Sequence, residues 1–179
     1  MDVKALIRPR PYLKDELGLE LRVIVRPARE ADLPWILAIE EASHPRPWSR
    51  MDFEKELGGC SPLSHLWVTV PVEAGIVARC GVVGYVCFRW IAPVQEVYII
   101  NLTVAPDFRR CGVAAGLMDI CVRWAKRRKG MRVVLDVRRD NLPAIAFYKK
   151  MGFVAAYGGT DGPGISMRDS MVMTLSIGG

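Results

Sequence analysis

A short segment between a strand-like and a helix-like stretch carries residue types suited to binding a phosphate. The strand-like stretch ends at Val104, and Pro106 prevents it from continuing. A helix-like stretch follows at once, so residues 110–115 place several backbone N–H groups without intrahelical partners in one small arc. Such an arc at the positive end of a helix dipole is suited to a pyrophosphate. The residues that would form it are Arg110, Cys111, Gly112, Val113, Ala114 and Ala115.

The side chains of this segment support the same interpretation. Gly112 and Ala114 add little Cβ bulk, so phosphates could approach the backbone closely. Arg109 and Arg110 add positive charge at the rim. Cys111 has no histidine near it in sequence, and we interpret it as a small spacer rather than a nucleophile. On these residues alone, an ordinary strand-to-helix turn that contains a glycine remains open.

A carboxyl group follows in the strand-like stretch at residues 131–137. Val133, Leu135 and Val137 share one face of that strand, so Asp136 points to the other face. Asp136 is therefore either a functional carboxyl group or the polar partner of Arg138.

A tyrosine lies on the short helix predicted after this strand. Asn141 is suited to cap the helix, and Gly152 is suited to end it. Tyr148 stands beside Phe147, which we expect to pack in the core. Tyr148 is either a second core aromatic or a proton donor.

Together these segments resemble the GCN5-related N-acetyltransferase (GNAT) superfamily. Its signature, Arg or Gln followed by x-x-Gly-x-Gly or Ala, is matched by Arg109, Gly112 and Ala114. Residues 141–153 (NLPAIAFYKKMGF) are similar to the superfamily's Asn…Ala…Phe-Tyr…Gly-Phe segment. The resemblance covers residues 21–176.

The resemblance implies a transferase that uses acetyl-CoA as cosubstrate and no metal. The strand edge at Leu102, Thr103 and Val104 would pair with the pantetheine arm, much as a peptide is added to a sheet. The N–H group near Val104 would polarise the thioester carbonyl. The arc at residues 110–115 would hold the pyrophosphate, and Asn141 would reach the cofactor from the next helix.

Residues 43–49 (SHPRPWS) and the two blocks are most similar to the RimI-type enzymes of bacteria, which acetylate the N-terminal alanine of a small-subunit ribosomal protein. The acceptor would then be a protein or peptide N-terminus, such as that of a ribosomal protein. Tyr148 would protonate the departing CoA thiolate. The Trp48 loop would lie against the acceptor peptide, whereas the residue pattern alone favours Trp48 as a hydrophobic staple of a helix capped by Ser49.

Two features depart from the RimI-type pattern. Asp136 stands where these enzymes carry a glutamate, and it is shorter by one methylene, or about 1.5 Å. A bridging water could span that gap, or Glu96 could serve as the base instead. In addition, the glycine-rich residues 158–164 replace a stretch that carries tyrosine in RimI-type enzymes.

These departures keep two alternatives open. The acceptor could be a small-molecule amine, which would fit the loss of features on the substrate side. The chain could also be a regulatory module that binds acetyl-CoA without catalysis, although the retained Tyr148 speaks against this.

Composition excludes several other classes. The five cysteines are odd in number and lack metal-ligand spacing, and the two histidines are too few for a histidine-based metal centre. No secretory signal or apolar run long enough to span a bilayer is present, so we expect a cytoplasmic protein without a membrane partner. The net charge of +6 suits an acidic or phosphate-bearing partner. Because no nucleic-acid-reading motif accompanies it, we expect no direct nucleic-acid binding.

The predicted elements that must position these residues form one α/β domain over residues 21–179, after an extension of residues 1–20. A mixed, mostly antiparallel central sheet flanked by helices is expected. Helices are predicted near residues 30–39, after Ser49, and near residues 113–129 and 143–151. Strands are predicted near residues 21–25, 65–70, 82–90, 95–104, 131–137, 153–157 and 171–176.

Overall fold

The computed structural model of the protein describes residues 12–14, 20–57, 63–72, 81–156 and 169–178. The glycine-rich residues 158–164 lie outside the described residues. Contacts between residues divide the chain into two units. Unit 1 comprises Met1–Phe88 and Asn101–Ile120, and unit 2 comprises Arg89–Ile100 and Cys121–Gly179.

The described residues form eight strands and four α-helices. The strands are β1 (Tyr12–Lys14), β2 (Glu20–Pro27), β3 (Ser64–Pro71), β4 (Gly84–Ile91), β5 (Glu96–Val104), β6 (Arg132–Arg138), β7 (Val154–Ala155) and β8 (Ser170–Ser176). The helices are α1 (Leu33–Ser43), α2 (Arg50–Leu57), α3 (Val113–Arg127) and α4 (Leu142–Lys150). Short 3-10 turns cover Glu30–Asp32, Ala92–Val94 and Pro106–Phe108. The order of the elements and the approximate positions of the strands and helices confirm the predictions from the sequence.

In unit 1, hydrogen-bonded strands lie in the order β1-β2-β3-β4-β5. β1 falls inside the predicted N-terminal extension, and it pairs antiparallel with β2. β2 and β3 are also antiparallel, from Val23 opposite Pro71 to Pro27 opposite Trp67. Val23 and Val25 are buried between exposed or half-buried neighbours, as expected for a strand with one face on the core.

Hydrogen-bonded aspartates lie at the starts of α1 and α2 in unit 1. Asp32 precedes α1 and forms two bonds of 2.7 and 2.8 Å with the Arg26 guanidinium. Burial would raise the pKa of Asp32, but these bonds and one from the Arg29 N–H hold it below its usual value. At α2, the Ser49 N–H donates to Asp52 at 2.9 Å, and the Asp52 N–H donates to the Ser49 hydroxyl at 3.3 Å. This reciprocal pair confirms the predicted cap.

In unit 2, the strand order is β5-β6-β8-β7. β5 and β6 are parallel, from Glu96 opposite Arg132 to Ile99 opposite Leu135. β6 pairs antiparallel with β8 over its whole length, and β7 pairs antiparallel with β8. Val133, Leu135 and Val137 are buried, which confirms the predicted core face of β6. The sheet class predicted from the sequence, mixed and mostly antiparallel, is thereby confirmed.

The basic end of α3 is stabilised within unit 2 by aromatic contacts. Trp124 is 7% exposed and packs edge-on against Trp90, with ring centroids 5.8 Å apart. The Arg128 guanidinium lies 4.1 Å from the centre of the Trp124 ring, a cation–π arrangement. The helix ends at Arg127 rather than at residue 129 because Lys129 adopts a left-handed φ of 56° and the Gly130 N–H returns to the Ala125 carbonyl.

No helix in the described part of the chain is long and apolar enough to cross a membrane. The three described cysteines, Cys87, Cys111 and Cys121, are thiols and not part of a disulfide.

Candidate active site

The predicted anion-binding arc lies between the end of β5 and the start of α3. After the turn at Pro106–Phe108, the backbone reverses at residues 109–112, where Arg110 has a φ of 62° and Gly112 a φ of 90°. The left-handed region favours glycine, so Gly112 is required here for its backbone as well as its small size. The first α-helical bond runs from the Gly116 N–H to the Gly112 carbonyl at 3.0 Å. The N–H groups before Gly116 therefore have no intrahelical acceptor and can bind an anion.

Arg109 holds this turn in place. Its Nε donates to the Val104 carbonyl at 3.2 Å, and a terminal nitrogen donates to the Ser43 hydroxyl at 2.9 Å. The guanidinium predicted as rim charge thus also ties the turn to the end of β5 and the end of α1. Cys111 is half-buried, and its thiol donates to the Arg109 carbonyl at 3.3 Å, consistent with the predicted spacer role.

The end of β5 packs closely against the first residue of β4. A Cβ added at Gly84 would lie 2.8 Å from a Val113 methyl and 3.1 Å from the Thr103 carbonyl oxygen. Thr103 and Val104 are buried and Leu102 is half-buried. Gly84 therefore allows β4, the end of β5 and the start of α3 to approach one another, a contribution that was not predicted.

The parallel pairing of β5 ends before the predicted pantetheine-binding residues. It covers Glu96 to Ile99 and stops, although β5 continues to Val104 and β6 continues to Arg138. The alternation of buried and half-buried residues along β5 also breaks at Asn101. The pairing with β6 therefore does not use the backbone N–H and C=O groups of the last residues of β5.

Asp136 lies on the half-exposed face of β6, and its partner is Tyr98 on the neighbouring strand. The Tyr98 hydroxyl donates to Oδ2 of Asp136. Burial, and then this bond to a carboxyl group, raise the pKa of Tyr98 well above its ordinary value. Tyr98 therefore remains a hydrogen-bond donor throughout the neutral range.

The structure gives the partners of Arg138, the alternative ion-pair partner of Asp136, and of Glu96, the alternative base. Arg138 pairs with Asp140 through two bonds of 3.0 and 2.8 Å, so the expectation that Asp136 is its polar partner is wrong. Arg138 stands at the exposed end of β6, where the next turn brings Asp140 within reach. Glu96 forms an ion pair with Arg132 at the other end of the strand.

Tyr148 lies on α4 and is 9% exposed. Its ring packs on Phe147 and Phe153, with centroids 5.2 and 5.6 Å away. Burial, and then the nearby Cys121 thiol, raise the pKa of Tyr148 to about 12. Tyr148 is thus a packed aromatic that keeps its proton at neutral pH, so the two roles considered for it are compatible.

Asn141 caps α4. Its side-chain oxygen accepts a hydrogen bond of 3.2 Å from the Ala144 N–H, which confirms the predicted cap. The residue is exposed, and contact with a cofactor remains a prediction.

A second cluster of polar side chains surrounds Glu40 in unit 1 and was not anticipated. Glu40 is 1% exposed, and the Tyr85 hydroxyl donates to it. The other members are His44, Trp48, Asn101 and Thr103. Only the helical phase of Glu40, four residues after the buried Ile36, could have pointed to it, and acidic residues in helices are usually exposed.

Comparison with known proteins agrees with this geometry. Residues 33–153 match the acetyltransferase (GNAT) family. The ribosomal protein bS18-alanine N-acetyltransferase of Escherichia coli K12 is 28% identical over 152 residues, which are 82% of this chain and 92% of that protein.

Solved structures show the same fold. The crystal structure of the ribosomal-protein-S18-alanine N-acetyltransferase from Escherichia coli matches with a TM-score of 0.68 and 25% identity, over 87% of this chain and 94% of that one. The PaiA N-acetyltransferase from Thermoplasma acidophilum, in complex with coenzyme A, matches with a TM-score of 0.68 and 15% identity, over 86% and 98%.

No group of three or more potential metal-ligating His, Cys, Asp or Glu side chains occurs among the described residues. The turn at residues 109–115 has a left-handed glycine and leads into helical N–H groups without intrahelical acceptors, an arrangement suited to a phosphate group. The chain belongs to the GNAT family and is an acetyl-CoA-dependent N-acetyltransferase.

Proposed function

We propose that this chain transfers the acetyl group of acetyl-CoA to the N-terminal α-amino group of an acceptor protein, as RimI-type enzymes do. The observation that carries the proposal is the half-exposed Asp136 carboxyl group, oriented by Tyr98, in a chain of the acetyltransferase family. The bS18-alanine acetyltransferase of Escherichia coli supports a ribosomal protein as acceptor. A cytoplasmic location follows from this activity.

The donor substrate is held by unit 1. The backbone at Leu102, Thr103 and Val104 pairs with the amides of the pantetheine arm, since these residues extend past the paired part of β5. We assign the pyrophosphate to the N–H groups at residues 110–115, and a contact with the cofactor to Asn141. The N–H near Val104 donates to the thioester carbonyl and stabilises negative charge on it during attack.

Asp136 prepares the acceptor. An amine attacks a thioester only when it is neutral, and an α-amino group has an ordinary pKa of about 8, against about 10.4 for lysine. An N-terminal amine therefore requires less assistance than a lysine side chain. Asp136 accepts the proton, through a water molecule where its shorter side chain does not reach the amine directly.

Tyr148 assists the departing sulfur. Its pKa of about 12 exceeds the value of about 8.5 for an ordinary thiol. Full proton transfer to a free thiolate would therefore be unfavourable, and we assign to Tyr148 a hydrogen bond that stabilises the charge developing on the sulfur. Solvent then supplies the proton that completes CoA.

Binding of the donor can be tested with two glycine substitutions in unit 1. Gly84→Ala should weaken acetyl-CoA binding by about tenfold or more, because its Cβ would push on Val113 and on the Thr103 backbone. Gly116→Ala is the matched control, since a Cβ there meets nothing within 4 Å. Calorimetric titration measures both affinities, and equal affinities would contradict the assignment of this turn to the donor.

The acceptor class can be tested by competition. Peptides with free N-termini and a panel of small amines, including polyamines and amino acids, are offered together with acetyl-CoA, and mass spectrometry identifies the acetylated products. We expect acetylation of peptide N-termini. A preference for free small amines would refute the protein acceptor, and acetyl-CoA binding without any product would indicate a module that has lost catalysis.

A further inference from the structure

The buried Glu40 carboxyl group is the centre of a hydrogen-bond network that the proposed reaction does not use. Its side chain is 2% exposed. Oε1 accepts from the Trp48 N–H at 3.0 Å, and Oε2 accepts from the Tyr85 hydroxyl. The Asn101 amide lies 3.4 Å from both oxygens. A buried carboxyl group is retained only where such donors compensate its burial.

Glu40 fixes both ends of the segment at residues 44–49. Its backbone carbonyl accepts from the His44 N–H at 3.0 Å, and its side chain accepts from the Trp48 N–H. Pro45 and Pro47 have no N–H group, so this segment has few backbone donors with which to hold its shape. The segment therefore depends on Glu40 more than a loop of ordinary composition would.

The same network reaches the end of β5. The Thr103 hydroxyl donates to the Asn101 side chain at 2.9 Å, so its oxygen accepts from Nε2 of His44, also at 2.9 Å. Nε2 of His44 lies 3.3 Å from Glu40 as well. Asn101 and Thr103 flank Leu102, where the donor substrate is proposed to pair. One carboxyl group thus joins the loop to the strand residues beside the thioester.

We propose that Glu40 is a positioning residue for the acceptor, and this inference rests on the proposed function. Glu40 holds the loop at residues 44–49 in register with the end of β5, so that an acceptor N-terminus bound against the loop meets the acetyl group. Trp48 is held at two points of that loop, because its N–H is bonded to Glu40 and its ring packs on Phe53 at 5.2 Å. The strand itself is held by its pairing in the sheet, so donor binding does not depend on Glu40.

The test compares Glu40→Gln with Glu41→Gln, the same change on the exposed neighbouring residue. Glu40→Gln should raise the KM for a peptide acceptor about tenfold, with kcat within about threefold and acetyl-CoA affinity within about twofold of wild type. Glu41→Gln should leave all three unchanged. An unchanged acceptor KM, or an equal loss of acetyl-CoA affinity, would overturn the proposal.

Hydrogen exchange at the Trp48 amide provides a readout that needs no activity. It should be slow in the wild type and at least tenfold faster in Glu40→Gln, measured by NMR under native conditions. Tyr85→Phe removes a single donor to Glu40 and should accelerate exchange at the Trp48 amide by an intermediate factor. This variant provides the test if Glu40→Gln does not fold. Unchanged exchange in both variants would refute the role of Glu40. If the wild type acetylates no α-amine, the proposed function fails, while the exchange data still decide whether Glu40 holds the loop.

Discussion

Each unit of the molecule contains a tyrosine that donates to a carboxyl group, and the two pairs differ in exposure. In unit 1, Tyr85 bonds to Glu40, which is 1% exposed and also accepts from the Trp48 backbone. In unit 2, Tyr98 bonds to Asp136 on a half-exposed strand face. The buried carboxyl group has its acceptor sites occupied by the protein and stabilises a fixed arrangement. In the half-exposed one, Tyr98 bonds to Oδ2, and we propose that the carboxyl group also serves the substrate.

The comparison therefore assigns different kinetic roles to chemically similar groups. We expect loss of the Asp136 carboxyl group to lower the rate of the chemical step. We expect loss of the Glu40 carboxyl group to weaken acceptor binding. The predictions that follow test this difference, from the largest expected effect to the smallest.

Asp136→Asn should lower kcat by about a hundredfold or more, because removing a general base typically costs two to four orders of magnitude. Its structure should be kept, since the side-chain oxygen can still accept from Tyr98. Steady-state kinetics across a range of pH measure the effect, with Asp140→Asn as the control in the same unit. Wild-type kcat at every pH would exclude Asp136 as the base and remove the contrast with Glu40.

Tyr85→Phe should lower the free energy of unfolding by about 1–3 kcal/mol, because a buried carboxyl group loses a donor that water cannot replace. Tyr98→Phe should cost about 1 kcal/mol or less, since Asp136 can be hydrated. Urea denaturation of the two variants measures both values. Equal costs would show that the difference in exposure does not separate the pairs.

Tyr98→Phe should lower kcat about three- to tenfold, because Asp136 loses the bond that orients it but remains in place. The effect on acetyl-CoA affinity should be negligible. Steady-state kinetics with saturating donor measure this, and Tyr85→Phe provides the matched comparison in unit 1. A kcat as low as that of Asp136→Asn would instead assign the proton transfer to Tyr98 itself.

The stability cost of Tyr85→Phe should depend on pH. Burial, and then the Glu40 charge, raise the pKa of Tyr85 above its ordinary value. A group whose pKa is raised on folding contributes stability that is complete below its unfolded pKa, about 10 for tyrosine, and is lost as pH rises above it. The difference in Tm between wild type and Tyr85→Phe should therefore narrow above about pH 10. A constant difference would contradict this linkage.

Much of the fold could be predicted because local signals were strong. Pro106 and Gly112 marked the turn before α3, Ser49 and Asn141 marked helix starts, and alternation along β6 marked its buried face. These features depend on residues adjacent in sequence. The end of α3 was placed two residues late because the left-handed turn at Lys129 has no glycine to mark it.

The candidate site was predicted only in part, because its remaining contacts join residues far apart in sequence. The Tyr98–Asp136 bond depends on the parallel register that sets Tyr98 opposite Val134, which no local pattern specifies. The Glu40 network likewise joins α1 to β4 and β5. For Asp136, the nearby Arg138 suggested an ion pair, but a closer acidic partner in the following turn takes that arginine.

The most direct test of the proposed function is an acetyl-transfer assay that follows CoA release. The acceptors are a short peptide beginning Ala-Arg and its N-terminally blocked counterpart that carries a lysine. We expect turnover on the free N-terminus and none on the blocked peptide. Turnover on the lysine alone, or on neither peptide while acetyl-CoA still binds, would contradict acetylation of a protein N-terminus.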